Sequence, residues 1–305
     1  MKIATMATGG IGGYLAVKLT EAGHEVATIA RGAHLDAIRQ AGLTLDAPDG
    51  SATVHPWKAT DDPAEVGPVD AIIFGVKGDT LESAAEACRP MLGPETVVVP
   101  FLNGVEAATR LCAVLPEDHV ANGVAQISTT IAGPGVIRQT GGFARFVFAE
   151  RDSRRSARID ALRSAISGAG ASAPETADID VALWQKFVLF SAMSGVTAAG
   201  RCTIGDIVAH APLGGLFRAV VAETAAIGRA RGVALPDDWE DQVWTTVEGF
   251  PPGMRASTAI DVEHGRPLEI EWVSGAAVRL GRESGVLTPM NSALYALLLP
   301  FKNGG

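Results

Sequence analysis

A lysine interrupts a long apolar stretch, and its residue type is the first to suggest chemistry. The segment DIDVALWQKFVLFSAMSGVTAAGR, residues 178–201, is apolar almost all round when it is read as a helix, yet it contains Lys186. Burial penalises the charged form of an amine, so a lysine enclosed in such a helix is costly and its pKa falls. Two interpretations stay open: an ammonium kept for function, or a side chain whose stem reaches out to solvent.

A second candidate is the glycine-rich segment ATMATGGIGGY, residues 4–14. The dinucleotide fingerprint Gly-x-Gly-x-x-Gly provides a tight turn, a close approach of backbone to pyrophosphate and close packing of a helix on a strand. In the best register the first glycine is replaced by alanine, which costs little if its φ is negative. Because the segment lies between a predicted strand and a predicted helix, we predict a nucleotide-binding turn; a purely structural glycine turn is the alternative. Its residues are Ala7, Gly9, Gly10, Ile11 and Gly12.

Three further predicted strands end in residues that suit a phosphate-bearing ligand. The strand at 25–30 ends in Arg31 and carries no acidic residue there. An acid at this position suits the ribose of NAD, whereas a cation suits the 2′-phosphate of NADP, so we predict NADP as cofactor. Two later strands end in Lys77 and Asn103, which we also predict to contact the cofactor. A solvated arginine, a loop lysine and an Asn-Gly turn are the respective alternatives.

The elements that must position these residues change in type along the chain. In the first half, apolar strand-like runs alternate with helical patterns, which is typical of a parallel, doubly wound sheet. After the first β-α-β unit, strands are predicted at 70–76, 97–102, 120–128 and 145–149. The last two are expected to extend the same sheet. After about residue 175 only helical patterns occur, at 182–197, 213–231, 239–247, 268–283 and 291–299.

The sequence therefore predicts an α/β fold with two domains. A Rossmann-type, NADP-binding domain with a doubly wound sheet is expected over residues 1–175. An all-α domain that carries the substrate and catalytic residues is expected over residues 176–305.

Composition limits the classes of partner. The 305 residues are 47% hydrophobic and 19% charged, which is typical of a globular protein. A net charge of −9 disfavours nucleic acid and anionic membranes, and no uninterrupted apolar run reaches the roughly 18 residues of a spanning helix. The six histidines lack the paired spacing of a metal site. Three widely separated cysteines suit a reducing compartment, so a cytoplasmic location is expected; the oligomeric state, a homodimer included, stays open.

Several short motifs occur in one order along nearly the whole chain. After the glycine turn they are IARGAHL (29–35), VK (76–77), FLNGV (101–105), WQKF (184–187), SGVTA (194–198), STAIDVEHGRPLEIE (257–271) and GVLTPMNSALYALL (285–298). In order and spacing they resemble the ketopantoate reductases, or 2-dehydropantoate 2-reductases. The resemblance implies a Rossmann domain joined to an all-α domain, an active site in the cleft between them, and a role in pantothenate biosynthesis. The implied reaction is the reduction of a small 2-oxo acid by NADPH.

The resemblance also implies roles for four residues. Lys186 is similar to the general acid that protonates the substrate carbonyl oxygen as NADPH delivers hydride. Glu269 matches an acidic residue near that lysine, and Ser257 matches a hydroxyl that holds the substrate carboxylate. Asn103 matches the asparagine at the nicotinamide and the substrate. Without the resemblance, the alternative for Glu269 is a first-turn acid that the helix dipole favours after Pro267.

Two positions depart from the family pattern. Positions 190 and 194 share a helix face with Lys186, and the members that reduce ketopantoate carry asparagine at both. Here they are Phe190 and Ser194, which we predict to border the substrate. Loss of both amides makes the site less polar and should change which substrate fits. We predict a reductase of ketopantoate or of a related, less polar 2-oxo acid; a non-catalytic NADP-binding sensor is the other alternative.

Overall fold

The computed structural model describes residues 1–304 and divides into two compact units. The first unit comprises residues 1–102 and 107–179, and the second comprises 103–106 and the chain from Asp180 onward. The segment Asn103–Glu106 thus belongs to the second unit, although its sequence neighbours on both sides belong to the first. No single cut of the chain yields this division, and the boundary at residue 175 stays a prediction.

Strands and helices alternate in the first unit. Its elements are β1 (Lys2–Met6), α1 (Gly10–Glu21), β2 (Glu25–Ile29), α2 (Gly32–Ala41), β3 (Leu43–Ala47), β4 (Gly50–Val54), β5 (Lys58–Thr60), β6 (Val69–Phe74), α3 (Leu81–Cys88), β7 (Leu92–Pro100), α4 (Ala107–Cys112), β8 (Ala121–Gly133), β9 (Val136–Glu150) and α5 (Ala157–Gly168). Five of the strands form a parallel sheet in the order β5-β2-β1-β6-β7. The strand order reverses at β1, so the carboxyl ends of β1 and β6 form a topological switch point. The predicted Rossmann-type sheet is confirmed.

The long strands β8 and β9 correct one prediction. We expected strands at 120–128 and 145–149 to extend the parallel sheet, and this is wrong. Instead β8 and β9 pair antiparallel and join a separate sheet in the order β4-β3-β9-β8. Their connection is too short for a parallel crossover, and its Gly135 adopts φ +72°.

Completely buried apolar side chains hold the parallel sheet and α1 of the first unit together. Ile3 of β1, Ile73 of β6 and Val99 of β7 are completely buried, as is Leu15 of α1. Complete burial of each such side chain contributes roughly 1.5–3 kcal/mol. The loops that leave the carboxyl ends of β1 and β6 therefore start from fixed positions.

The second unit is helical, as predicted. Its helices are α6 (Ile179–Ala199), α7 (Ile204–Ala209), α8 (Ala211–Ala230), α9 (Trp239–Glu248), α10 (Ser257–Glu263), α11 (Ser274–Ser284) and α12 (Pro289–Leu298). Within the described residues, extended pairing in this unit is limited to one isolated bridge, between Pro267 and Asn303. By length and composition α6 is apolar enough to cross a membrane, with a mean hydropathy of 1.2, but 67% of that stretch is buried, as in a core helix.

Candidate functional site

The turn at residues 7–9 connects β1 to α1, and its packing explains why glycine is needed at one position of the fingerprint and not at another. A Cβ on Gly12 would overlap the carbonyl oxygen of Ala7, so α1 lies against the turn only with glycine at this position. Ala7 does not adopt a left-handed conformation, since the non-glycine residues of 1–304 with positive φ are Ser153 and Arg201. Alanine therefore occupies the first position of the fingerprint without backbone strain.

Gly9 and Gly10 are glycines for different reasons. A Cβ on Gly10 would lie 2.7 Å from the carbonyl oxygen of Thr129, so packing alone requires glycine there. Gly9 has φ −82°, and its Cβ would meet the carbonyl oxygen of Gly75 at an ordinary 3.7 Å. No steric contact within the described residues demands glycine at position 9, and the close approach of a ligand there stays a prediction. The buried Thr129 hydroxyl beside this turn has no hydrogen-bond partner among the described residues.

Donors and cations around this turn suit an anion. The first turn of α1, which includes the half-buried Ile11, contains no acidic residue and no side-chain cap, so its free N–H groups are available. Arg31 precedes α2, and Lys77 follows β6. Both side chains are exposed, and neither forms an ion pair within residues 1–304. The residues present therefore fit a dinucleotide phosphate, while the individual contacts of Arg31 and Lys77 stay predictions.

In the second unit, hydrogen bonds join three of the predicted residues. Lys186 Nζ donates to Asn103 Oδ1 at 3.1 Å, and Asn103 Nδ2 donates to Glu269 Oε2 at 3.1 Å. Only the amide oxygen can accept from an ammonium and only the nitrogen can donate to a carboxylate, so the amide orientation is fixed. Burial lowers the pKa of Lys186 to about 8, and the Glu269 carboxylate opposes that shift. The ammonium is thus held by a partner, and its pKa suits proton donation near neutral pH.

The three remaining residues predicted to face the substrate lie outside this hydrogen-bonded chain. The ring centroid of Phe190 is 5.7 Å from Lys186 Nζ, one helical turn away, so an apolar face lies beside the ammonium. Ser194 is buried, and its hydroxyl pairs with that of Thr258 at 2.6 Å. Ser257 begins α10 with an exposed side chain and no hydrogen bond to the chain among described residues. The substrate contacts of Phe190, Ser194 and Ser257 stay predictions.

The segment Asn103–Glu106 is held by a glycine and an ion pair that sequence reasoning missed. Gly104 adopts φ +89°, and a Cβ there would lie 2.5 Å from the carbonyl oxygen of Trp272. At the end of the segment, Arg279 Nη2 donates to the Glu106 carboxylate at 2.6 Å. Arg279 lies 173 residues along the chain from Glu106, so no local pattern signals the pair.

The backbone around Glu269 removes one interpretation of this acid. It precedes a 3-10 turn at Ile270–Trp272, and α11 begins only at Ser274. The predicted helix over 268–283 was wrong at its start, and Glu269 is not in the first turn of a helix. The helix dipole therefore does not explain it, whereas its hydrogen bond to Asn103 does.

Comparison with known proteins identifies the family of this chain. The family model described as ketopantoate reductase PanE/ApbA matches residues 3–153, and that of its C-terminal part matches residues 178–301. The 2-dehydropantoate 2-reductase of Mesorhizobium japonicum is 33% identical, over 98% of this chain and 97% of that protein. A crystal structure of a PanE/ApbA family ketopantoate reductase from Ralstonia eutropha JMP134 is 33% identical with a TM-score of 0.90, covering 99% and 98% of the two chains.

A more distant structure shares the fold. D-mandelate dehydrogenase with NADH and anilino(oxo)acetate is 22% identical with a TM-score of 0.89, over 99% of this chain and 98% of that one. The two family models confirm the resemblance that the motifs indicated. Members of the family are oxidoreductases that act on 2-oxo acids with a nicotinamide cofactor. The chain belongs to the ketopantoate reductase PanE/ApbA family.

Proposed function

We propose that this protein reduces a 2-oxo acid to the 2-hydroxy acid with NADPH, and that 2-dehydropantoate is the first substrate to test. The observation that carries the proposal is the hydrogen-bonded chain from Lys186 through Asn103 to Glu269. The cofactor supplies the hydride when bound. Each residue of the chain has a separate task during the accompanying proton transfer.

Lys186 is the proton donor of the proposed reaction. A carbonyl carbon that accepts hydride leaves negative charge on oxygen, and a nearby ammonium both stabilises that charge and protonates it. With its pKa at about 8, Lys186 is mainly charged at neutral pH yet gives up its proton more readily than an ordinary lysine. Burial is the cause, so the packing around the lysine supplies the acidity.

Asn103 and Glu269 position the donor. The Asn103 oxygen accepts from Lys186 Nζ, which fixes one of the three ammonium hydrogens and leaves two to point elsewhere. The Glu269 carboxylate holds the Asn103 amide in the orientation that permits this bond. Its charge also favours the protonated lysine, so the donor stays loaded until substrate charge develops.

The preference for NADPH over NADH is supported by the end of β2. Arg31 follows that strand, exposed and without an ion pair within residues 1–304, and no acid is present to receive a ribose 2′-hydroxyl. An unpaired guanidinium suits the 2′-phosphate, which it can bind with two parallel hydrogen bonds.

Phe190 favours a second candidate, a reductase of a less polar 2-oxo acid. Its ring stands 5.7 Å from the proton donor and offers no hydrogen bond to a substrate hydroxyl. The Ser194 hydroxyl is already paired with Thr258. An aromatic 2-oxo acid belongs in the same comparison, since D-mandelate dehydrogenase shares the fold.

The test is NADPH oxidation by the purified protein with three substrates: ketopantoate, its analogue without the 4-hydroxyl, and an aromatic 2-oxo acid. The control for Lys186→Ala is Lys58→Ala, the same change at a lysine of the first unit that lies outside the proposed site. The Lys58 ammonium lies 3.9 Å from the Glu65 carboxylate. We expect turnover that only Lys186→Ala abolishes. Preference for either of the two less polar acids supports the second candidate, whereas NADPH binding without any turnover refutes both and leaves a cofactor sensor.

A further inference from the structure

A histidine that has no part in the proposed proton transfer bridges two backbone segments of the first unit. His34, the third residue of α2, places Nε2 2.9 Å from the carbonyl oxygen of Thr8 and Nδ1 3.0 Å from the backbone nitrogen of Gly135. Thr8 lies inside the glycine turn, and Gly135 lies in the connection between β8 and β9. One imidazole therefore contacts the proposed cofactor turn and the hairpin that packs against it.

The two contacts fix the protonation state of the ring. A backbone N–H can only donate, so Nδ1 must accept from Gly135 and carries no hydrogen. Nε2 then carries the single hydrogen and donates it to Thr8. Burial lowers the pKa of His34, which favours this neutral form.

Thr8 is tied to the same stretch of chain at both of its ends. Its backbone N–H donates to the carbonyl oxygen of Ile29 at 2.9 Å, and its hydroxyl donates to the same oxygen at 3.1 Å. Its own carbonyl accepts from His34. The stretch from Ile29 to His34, which carries Arg31, is thus pinned to Thr8 before and after the arginine.

We propose that His34 is a positioning residue of the cofactor site, which holds the Arg31 segment in register with the glycine turn. The inference rests on the proposed NADP-dependent function. His34 acts through backbone atoms and touches neither the substrate nor the reacting atoms. Its contact with Thr8 fixes the distance between the turn that faces the pyrophosphate and the cation that faces the 2′-phosphate.

Matched substitutions separate the two contacts of the ring. In His34→Gln, the amide nitrogen reaches the place of Nε2 and can donate to Thr8, but nothing accepts from Gly135. In His34→Asn, the amide oxygen takes the place of Nδ1 and can accept from Gly135, but the bond to Thr8 is lost. His34→Ala removes both, and His264→Ala is a control at an exposed histidine of the second unit.

The experiment measures the dissociation constants of NADPH and NADH by cofactor fluorescence in the absence of substrate, with thermal melting to monitor folding. We expect His34→Ala and His34→Asn to bind NADPH about tenfold more weakly than the native protein, the effect of losing one well-placed hydrogen bond. We expect His34→Gln to stay within about threefold, and NADH to be affected less than NADPH. His264→Ala should bind both cofactors as the native protein does.

Two results would overturn the proposal. Unchanged NADPH affinity in His34→Ala would show that the bridge does not position the site. Equal losses in the Gln, Asn and Ala variants, in step with their melting temperatures, would show a role in folding alone. If the native protein binds NADH and NADPH equally well, the NADP assignment is refuted instead. The test of His34 remains valid in that case, since the comparison of His34→Gln with His34→Asn reports on the Thr8 contact with either cofactor.

Discussion

At the scale of single residues, the pKa of Lys186 is set by two opposed influences. Burial lowers the pKa to about 8, and the Glu269 carboxylate raises it from what burial alone would give. The two side chains do not touch, because Asn103 lies between them in the hydrogen-bonded chain. Glu269 therefore supplies charge to the lysine and orients the Asn103 amide, and a substitution that keeps its oxygen but removes its charge separates these two effects.

The first prediction concerns pH. The ammonium form of Lys186 predominates below its pKa, so the rate of reduction at saturating substrate should fall as pH rises through about 8. Glu269→Gln keeps an oxygen to accept from Asn103 but removes the charge that raises the lysine pKa. The fall should therefore begin at a lower pH in the variant. A kcat profile from pH 6 to 10 for both proteins checks this, and a shift to higher pH in the variant would contradict it.

The second prediction concerns Phe190. Its replacement by asparagine returns an amide beside Lys186, so we expect the ratio of kcat/KM for ketopantoate to that for the analogue without the 4-hydroxyl to rise about tenfold, the effect of one hydrogen bond. Phe301→Asn, the same change at a residue 39% exposed, is the control. An unchanged ratio would show that the Phe190 position does not select the substrate.

At the scale of elements, the glycine turn separates positions that folding requires from positions that a ligand requires. Gly12 lets α1 lie against the Ala7 carbonyl, and Gly10 makes room for Thr129. Gly9 satisfies neither need. Steric space within the chain thus explains Gly10 and Gly12 but not Gly9, for which we propose a ligand as the reason.

The third prediction follows from this difference. Gly9→Ala should melt within about a degree of the native protein, because its φ is negative and its Cβ has room, but should bind NADPH at least tenfold more weakly. Gly12→Ala should lose about 1–3 kcal/mol of unfolding free energy from overpacking against the turn. Thermal melting and cofactor titration of the two variants check the distinction. Loss of stability in Gly9→Ala with unchanged affinity would reverse our assignment.

The two sheets also show how much of the fold the sequence predicts. The near-continuous apolar runs of β6 and β7 predicted the parallel sheet, since only strands buried on both faces read that way. The second sheet escaped prediction because β3 pairs with β9, about 90 residues further along, and no local pattern encodes that partner. The candidate site likewise contains residues that the sequence predicted and contacts that it did not. Residue types singled out Lys186, whereas the ion pair between Glu106 and Arg279 depends on the folded chain.

At the scale of the whole molecule, each unit has a hydrophobic core of its own. The glycine turn, Arg31 and Lys77 belong to the first unit, and the Lys186 chain belongs to the second. The residues proposed to face the cofactor phosphates and the proposed proton donor therefore lie in separately packed structures. A substitution in one of these two groups of residues should leave the packing of the other unit unchanged.

The fourth prediction uses this separation. NADPH at about 100 times its dissociation constant should add about 2.7 kcal/mol to the unfolding free energy of the unit that binds it. In calorimetry, the transition of the first unit is the one that Gly12→Ala lowers. We expect NADPH to move that transition to higher temperature. The other transition should stay in place. Movement of only that other transition would assign the cofactor to the second unit.

The placement of Asn103–Glu106 in the second unit has a consequence for recombination between related genes. The two family models match consecutive blocks of the chain, residues 3–153 and 178–301. Yet the asparagine that partners Lys186 is encoded within the first block. A single crossover between the blocks would match the lysine of one parent with the asparagine segment of the other. A chimera that keeps the native pairing of Asn103 with Lys186 needs two additional crossovers, so that residues 103–106 come from the same parent as the helices.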